Sequence, residues 1–474
     1  MRLRVTTAVL AAMAIASAVS LNGQEPARIQ PAASAQGALP SMNTERHAAA
    51  LAAGSRALHY CTGLFTAGMS LEQIGTTDRS VAAAATMKTD IDRVNKTVSV
   101  TYSADMPPRI AAWRPMLGCA QLPIGATVEA VQYLPRLPAS LKHPNFDDRP
   151  WPMGDQQATA DLPVAVRARV DSVVAKAFDG GTYRGSTWGV VVISDGKIVA
   201  EKYAGGFDAH MPARTQSMCK SLAATVVGVG VKKGLVDIHK KAPLAEWRRP
   251  GDPRGQITLN DMLHMASGLY TEAAGDPQPE LYTGGAAAAE RSAVNIVDSP
   301  PGTRFVYAGS DTILSVRAVR QAVNDDMRFW AFPFEELLWK IGMTRTTPET
   351  DWNGDFMMSG QCWSTARDFG RFGLLYLNNG VWNGERLLPD NWAKYVSTPS
   401  PANPAYGAQF WIYGMRDGLP PDAYSPNGAA GQYAMIVPSK NVVVVRRGID
   451  RGPGFNITKF SADVIAALGD VKHP

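Results

Sequence analysis

The stretch Thr215-Gln216-Ser217-Met218-Cys219-Lys220-Ser221-Leu222-Ala223-Ala224 runs directly into Thr225-Val226-Val227 and sets a lysine at the head of an apolar segment. Such a segment reads as a buried helix, so the fold has to accommodate that lysine. If the helix starts at or just before Ser217, the Ser217 hydroxyl and the Lys220 amine lie three residues apart on one face, within hydrogen-bonding reach. A serine hydroxyl is a weak nucleophile until a neighbour takes its proton. A lysine can do so only when neutral, and the apolar neighbours Leu222, Ala223 and Val226, with the positive end of the helix dipole, disfavour charge on Lys220. The plainer alternative makes Ser217 a helix N-cap and Lys220 a solvated first-turn residue. The spacing alone does not choose, as the chain itself demonstrates. Ser194-Asp195-Gly196-Lys197 repeats it in an Asp-Gly turn between Trp188–Ile193 and Ile198–Ala200, the pattern of a β-hairpin, where a lysine is not buried.

At 474 residues the chain exceeds what one hydrophobic core normally organises, so two domains are expected. A net charge of +5, with no dense Lys/Arg run and no nucleic-acid motif, argues against a phosphate-backbone partner. Residues 1–18 read as a secretory signal peptide: Met1-Arg2-Leu3-Arg4 is basic, Val5 to Val19 is mostly apolar, and Ala16-Ser17-Ala18 offers a cleavage site. The apolar run is too short for a membrane span and is interrupted by Thr6, Thr7 and Ser17. A soluble periplasmic or secreted protein is expected, and in that setting four cysteines favour disulfides. Cys61 and Cys119 are expected to pair; Cys219 and Cys362 are either buried thiols or a second bridge. No Cys/His cluster has metal-ligand spacing, and no metal or cofactor is expected.

Residues 19–41 lack apolar periodicity and read as a flexible spacer. Residues 42–134 read as a small α/β domain, with a helix over Ala48–Leu58 and strands at Thr97–Tyr102 and Thr127–Val131. No chemistry is evident in it. Residues 135–158, rich in proline and polar residues, read as a linker, and residues 159–474 as the main domain. There the spacing predicts a helix over Leu162–Phe178, a hairpin of Tyr433–Val437 and Val442–Val445, and a last helix over Ile457–Leu468. Thr258-Leu259-Asn260-Asp261 and Thr365-Ala366-Arg367-Asp368 read as capping boxes, which account for both aspartates without catalysis. Strands at both ends with helices between predict an α+β fold: a central antiparallel sheet flanked by helices, plus a helical region.

Pro301-Gly302-Thr303 leads to Tyr307, ahead of a helix from about Asp311. Tyr307 is either a core residue or a phenol that relays a proton beside a lysine. Taken in order, Ser217-Met218-Cys219-Lys220, the segment Ile257 to Leu269, Pro301-Gly302-Thr303 with Tyr307, and Ser364 to Asp368 resemble the serine β-lactamase and penicillin-binding-protein superfamily. The likeness covers about residues 160–470 and is strongest to the class C-like branch with esterases and 6-aminohexanoate-dimer hydrolases. The resemblance implies Ser217 as acylated nucleophile, Lys220 as its base partner and Tyr307 in proton transfer. It implies an oxyanion hole from the backbone N–H groups of Ser217 and Gln432, with Ala429-Ala430-Gly431 as the strand motif. Two departures stand out. Gly309 occupies the third position of the tyrosine motif, leaving Ser310 to replace the missing polar group, and Ala429 replaces the usual cation. With Gly309, Ser310, Ala429 and Gly431 lining the substrate site, a small neutral ester or amide fits best. The alternatives are a penicillin-binding, D-amino-acid peptidase or β-lactamase-type enzyme, which would need a carboxylate anchor such as Arg446 or Arg447, or a non-catalytic binding protein of the same fold. Trp363, Trp411 and Tyr413 either shape an acyl pocket or pack in the core.

Overall fold

The structure, a computed structural model, describes residues 44–77, 84–271 and 279–469. The expected signal peptide (1–18) and spacer (19–41) lie outside the described residues.

The main sheet is built from the two hairpins read in the sequence. Thr187–Ser194 pairs antiparallel with Lys197–Tyr203 across a turn in which Asp195 (φ 48°) and Gly196 (φ 82°) both take left-handed backbone, the conformation a two-residue hairpin turn requires. Val442–Gly448 joins the other edge of Thr187–Ser194, and Gln432–Val437 pairs beyond it. Tyr424–Ser425 and Trp411–Ile412 complete an antiparallel sheet whose last strands in sequence lie beside its first. The period-two alternation decides what each face buries. Val190, Val192, Val442 and Val444 pack with the helices Val164–Lys176 and Ile457–Leu468, whereas Val191, Ile193, Val443 and Val445 pack with Met218–Lys232 and Ala366–Leu377.

Helix Met218–Lys232 also lies against Gly309–Val323. Gln409, buried in left-handed backbone (φ 64°), ties this region together. Its amide donates to the carbonyls of Met262 and Leu263, its Oε1 accepts from Thr312, and its carbonyl accepts from Ser221.

The N-terminal part is a four-stranded antiparallel sheet, Thr89–Asp92, Thr97–Val100, Arg109–Arg114 and Gly118–Gln121, packed on helix Thr44–Cys61. Cys61 and Cys119 are bridged, and so are Cys219 and Cys362. Thr127–Val131 is not a strand: Val128–Tyr133 is a turn of 3-10 helix held by local bonds such as Ala130 N to Thr127 O. Val128 is 51% exposed and Tyr133 80%, while Ala130 and Val131 pack against a small cluster that includes Ile110 and Leu122. The 135–158 stretch lies on the main domain, where Arg371 donates to Pro152 O, Gly154 O and Asp155 Oδ1 and Trp151 donates to Gly196 O. The described residues from 45 to 469 form one compact unit.

The Thr258 capping box is complete. At Thr365 only half forms: Thr365 Oγ1 accepts from Asp368 N, but the Asp368 carboxylate turns to Arg371, Thr346 and Arg345 N.

Candidate active site

The chain reaches Ser217 along a short strand, Ala213–Arg214, paired with Cys362–Ser364, and Thr215 N donates to Cys362 O at 2.9 Å. Gln216 then takes left-handed backbone (φ 51°), and Ser217 (φ −65°) opens the helix. Although Ser217 stands at the N-cap position, its side chain makes no capping bond. Instead its Oγ lies 3.2 Å from Lys220 Nζ. Lys220 is only 1% exposed, and Nζ also donates to the carbonyl oxygen of Ser359 at 2.5 Å. Ser194 and Lys197, at the same spacing, sit in the hairpin turn with Lys197 exposed.

Tyr307 comes in from the opposite side. Gly302 N donates to Ala266 O and Val306 N to Met265 O, which fixes the turn ahead of it. The Tyr307 ring packs on Trp411 and Tyr406, and its centroid lies 4.8 Å from Lys220 Nζ. Burial pushes the phenol up to about 12, with hydrogen bonds from Ser217 and Trp411 offsetting part of the rise. Ser217, Lys220 and Tyr307 are therefore brought together, with Ser217 and Tyr307 half-buried.

Gly309 is the first residue of helix Gly309–Val323, and Ser310 follows it. Ser310 is buried, and among the described residues its Oγ has no hydrogen-bond partner. The strand motif sits differently from the expectation. Asn427–Gly428 pairs with Gln432–Tyr433 across a loop containing Ala430 (φ 57°) and Gly431 (φ 85°). It is Gly428 that meets the nucleophile's turn: a Cβ there would lie 2.2 Å from Thr215 O and 3.1 Å from Gln216 Cβ. Gly431 faces Arg446 and Asp450 instead. The Gln432 side chain is committed to Ala430 O, Gly448 O and Arg447 Nε.

Arg446 and Arg447 are buried and spend their donors inside the protein. Arg446 binds Gly431 O, Thr187 Oγ1 and Asp450, while Arg447 binds Gln432 Oε1 and the carbonyls of Ser364, Ala213 and Arg214. They are structural ties. Trp363 packs in a core cluster with Met69, Ile74 and Ala213, whereas Trp411 lines the Tyr307 side of the site and the Tyr413 hydroxyl accepts from Asn427 Nδ2. Ser359 escaped sequence reasoning because its contribution is a backbone carbonyl. Gly428 carried no signal that set it apart from Gly431, because its part is a close backbone approach made only on folding.

An antiparallel sheet with helices on both faces, and a Ser-x-x-Lys pair opening a buried helix beneath a tyrosine, defines a class of serine hydrolase. The sequence model of the β-lactamase family matches residues 170–446, and the chain belongs to that family. It is an enzyme of the serine hydrolase type. The 6-aminohexanoate-dimer hydrolase of Paenarthrobacter ureafaciens is 25% identical over 289 residues, covering 54% of this chain and 71% of the relative. Two solved structures share the fold. A protein of Bacillus anthracis, provisionally named a 6-aminohexanoate-dimer hydrolase, is 21% identical with TM-score 0.51, covering 71% of this chain and 88% of that one. A family VIII carboxylesterase is 14% identical with TM-score 0.53, covering 65% and 98%.

Proposed function

We propose that the protein is an exported hydrolase that cleaves a small, neutral ester or amide through an acyl-enzyme on Ser217. The observation that carries this reading is the buried Lys220 amine 3.2 Å from the Ser217 hydroxyl, beside Tyr307. Ser217 Oγ attacks the substrate carbonyl carbon as its proton passes to Lys220. With its phenol pushed up to about 12, Tyr307 is neutral across the working range and serves as a donor. It hands a proton to the departing alcohol or amine and is resupplied from Lys220. Water then attacks the acyl-enzyme by the reverse path and releases the acid.

The oxyanion needs donors aimed at the oxygen that gains charge. Ser217 N at the helix start supplies one. Because Gly428 abuts Thr215 and Gln216, the second is assigned to the next residue, Ala429, in place of Gln432. Substrate polarity is limited by the buried ties of Arg446 and Arg447, which leave neither as a carboxylate anchor. This favours an ester or amide over a peptide bearing a free carboxylate. The name of the Paenarthrobacter relative supports amides in the substrate range. Export is supported by the two disulfides, and among the described residues no helix is long and apolar enough to cross a membrane.

The test is intact mass after incubation with a fluorophosphonate and, separately, with a penicillin, comparing the native chain with Ser217→Ala. Phosphonylation that requires Ser217, with no lasting penicillin adduct, is the expected result. A stable penicilloyl adduct would replace this reading with a penicillin-binding one, and turnover surviving in Ser217→Ala would end it.

A further inference from the structure

Among the described residues the N-terminal sheet and its helix contain no catalytic constellation, yet they bond at three points to segments that lead to the active site. The first grip holds the carbonyl that binds Lys220. Arg109, 1% exposed, donates to Ala50 O and Leu122 O within the N-terminal part and to Thr283 O at 3.0 Å across to the main domain. Thr283 O also seats on Gly54, where a Cβ would lie 2.2 Å from it. The neighbouring Tyr282 hydroxyl bonds to Ser359 Oγ, and the carbonyl oxygen of that same Ser359 takes Lys220 Nζ. In the second grip, Cys119 N donates to Glu349 Oε1 at 2.7 Å, and Glu349 Oε2 accepts from Gln361 Nε2 two residues beyond Ser359. The third joins His59 Nε2 to Arg214 Nη1 at 2.6 Å, three residues before Ser217.

We propose that helix Thr44–Cys61 and the N-terminal sheet act as an intramolecular brace for catalysis, with Tyr282 a positioning residue that fixes, through Ser359, where the Lys220 amine sits. This rests on the reading of Ser217 as nucleophile and Lys220 as base. A carbonyl is a strong, directional acceptor, and the reaction is sensitive to its placement because misplacing a catalytic group by about 1 Å can cost on the order of 100-fold in rate. Tyr282 is linked to the base through Ser359, whose hydroxyl it meets and whose carbonyl holds Lys220 Nζ, so removing the Tyr282 hydroxyl alters the geometry of the base and leaves its chemistry intact.

The test uses the full chain with p-nitrophenyl acetate or butyrate. In Tyr282→Phe, kcat is expected to fall roughly 10-fold or more with KM little changed, and the acidic limb of the kcat/KM profile to move, because that limb reports the free enzyme's base. A purely structural role would lower the melting temperature without moving the limb. Gly54→Ala suits its helix but pushes on Thr283 O, and should reproduce the kcat loss and limb shift in the same direction; if that variant fails to fold, Tyr282→Phe decides alone. The brace is overturned if Tyr282→Phe keeps native kcat and pH profile while Ser217→Ala is inactive. If Ser217→Ala itself turns over substrate, the nucleophile assignment has failed instead.

Discussion

Lys220 Nζ is held closer to the carbonyl oxygen of Ser359, at 2.5 Å, than to the Ser217 hydroxyl it faces, at 3.2 Å. The amine is thus anchored by backbone and presented to the nucleophile. Lys220→Met keeps most of the buried volume and removes the proton acceptor, so kcat should drop by between about 100- and 10,000-fold. Ser359 O loses its buried hydrogen-bond partner, a cost of roughly 1–3 kcal/mol, so thermal melting should shift by only a few degrees. A Lys220→Met protein that hydrolyses p-nitrophenyl butyrate at the native rate would exclude the amine as base.

Tyr307 acts as a neutral phenol in the proposed mechanism. Burial raises it to about 12, so the wild-type protein should show no loss of activity from tyrosinate formation at this position below about pH 11. Tyr307→Phe should lose activity by a factor comparable to the lysine variant while leaving Ser217 in place to react with fluorophosphonate, more slowly. Difference titration of the phenol absorbance between the native and Tyr307→Phe proteins locates its ionisation directly, and a midpoint at or below 10 would contradict the upward shift that burial imposes.

Asp311, one turn beyond Tyr307, makes stability depend on pH. Burial raises its carboxyl to about 7, and nearby Asp261 adds to the rise while hydrogen bonds from Ser267 oppose it. Because the folded pKa lies above the unfolded one, near 3.8, the folded chain keeps its proton where the unfolded chain has released it. Stability therefore declines as pH rises from about 4 to about 7, at up to about 1.4 kcal/mol per pH unit, and levels off above. Asp311→Asn preserves the acceptor for Ser267 and removes the titration. Melting curves should show the variant gaining on the native protein from pH 5 to about pH 7 and holding that gain above it. A constant gap across that range would show that Asp311 is ionised throughout.

The Cys219–Cys362 bridge joins the helix that carries Lys220 to the strand beyond Ser359, closing a loop of sequence separation 143. On chain entropy alone such a loop stabilises by about 5 kcal/mol, and measured values are commonly lower, about 2–4 kcal/mol. Replacing both cysteines by alanine should lower the melting temperature substantially. The fraction that remains folded should still label with fluorophosphonate, because the amine's hydrogen bonds do not involve sulfur. Loss of labelling in a folded double variant would make the bridge part of the catalytic geometry.

How far the sequence could be read follows from where each signal resides. Val190–Ile193 and Val442–Val445 were legible as strands because alternate residues enter two different cores. Thr127–Val131 has the same alternation, but it is wound as 3-10 helix that sets only Ala130 and Val131 against a small cluster, which local pattern cannot distinguish. Ser217, Lys220 and Tyr307 announce themselves by side-chain chemistry at fixed spacing. Ser359 acts through a carbonyl, which every residue possesses, and the Tyr282–Ser359 contact spans 77 positions with no motif between. Four cysteines allow three pairings, and only the packing of Cys362 behind Thr215 selected the second bridge. At the hairpin, Gly431 is the glycine of the expected motif, but it is Gly428 that abuts Thr215 and Gln216 ahead of Ser217.

That shift gives two glycines with opposite expected consequences. A methyl group on Gly428 would lie 2.2 Å from the backbone oxygen of Thr215, so Gly428→Ala must part Asn427–Ala429 from the turn that carries Ser217. If Ala429 N is an oxyanion donor, kcat should fall about 100- to 1,000-fold, the usual consequence of losing one such donor, with a smaller change in KM. Gly431→Ala is strained by its φ of 85° and by contact with Arg446 and Asp450, so it should lower stability, while molecules that fold keep most of their turnover. Steady-state kinetics normalised to active sites titrated with fluorophosphonate separates the two. A Gly431→Ala protein with the larger kcat defect would return the second donor to Gln432.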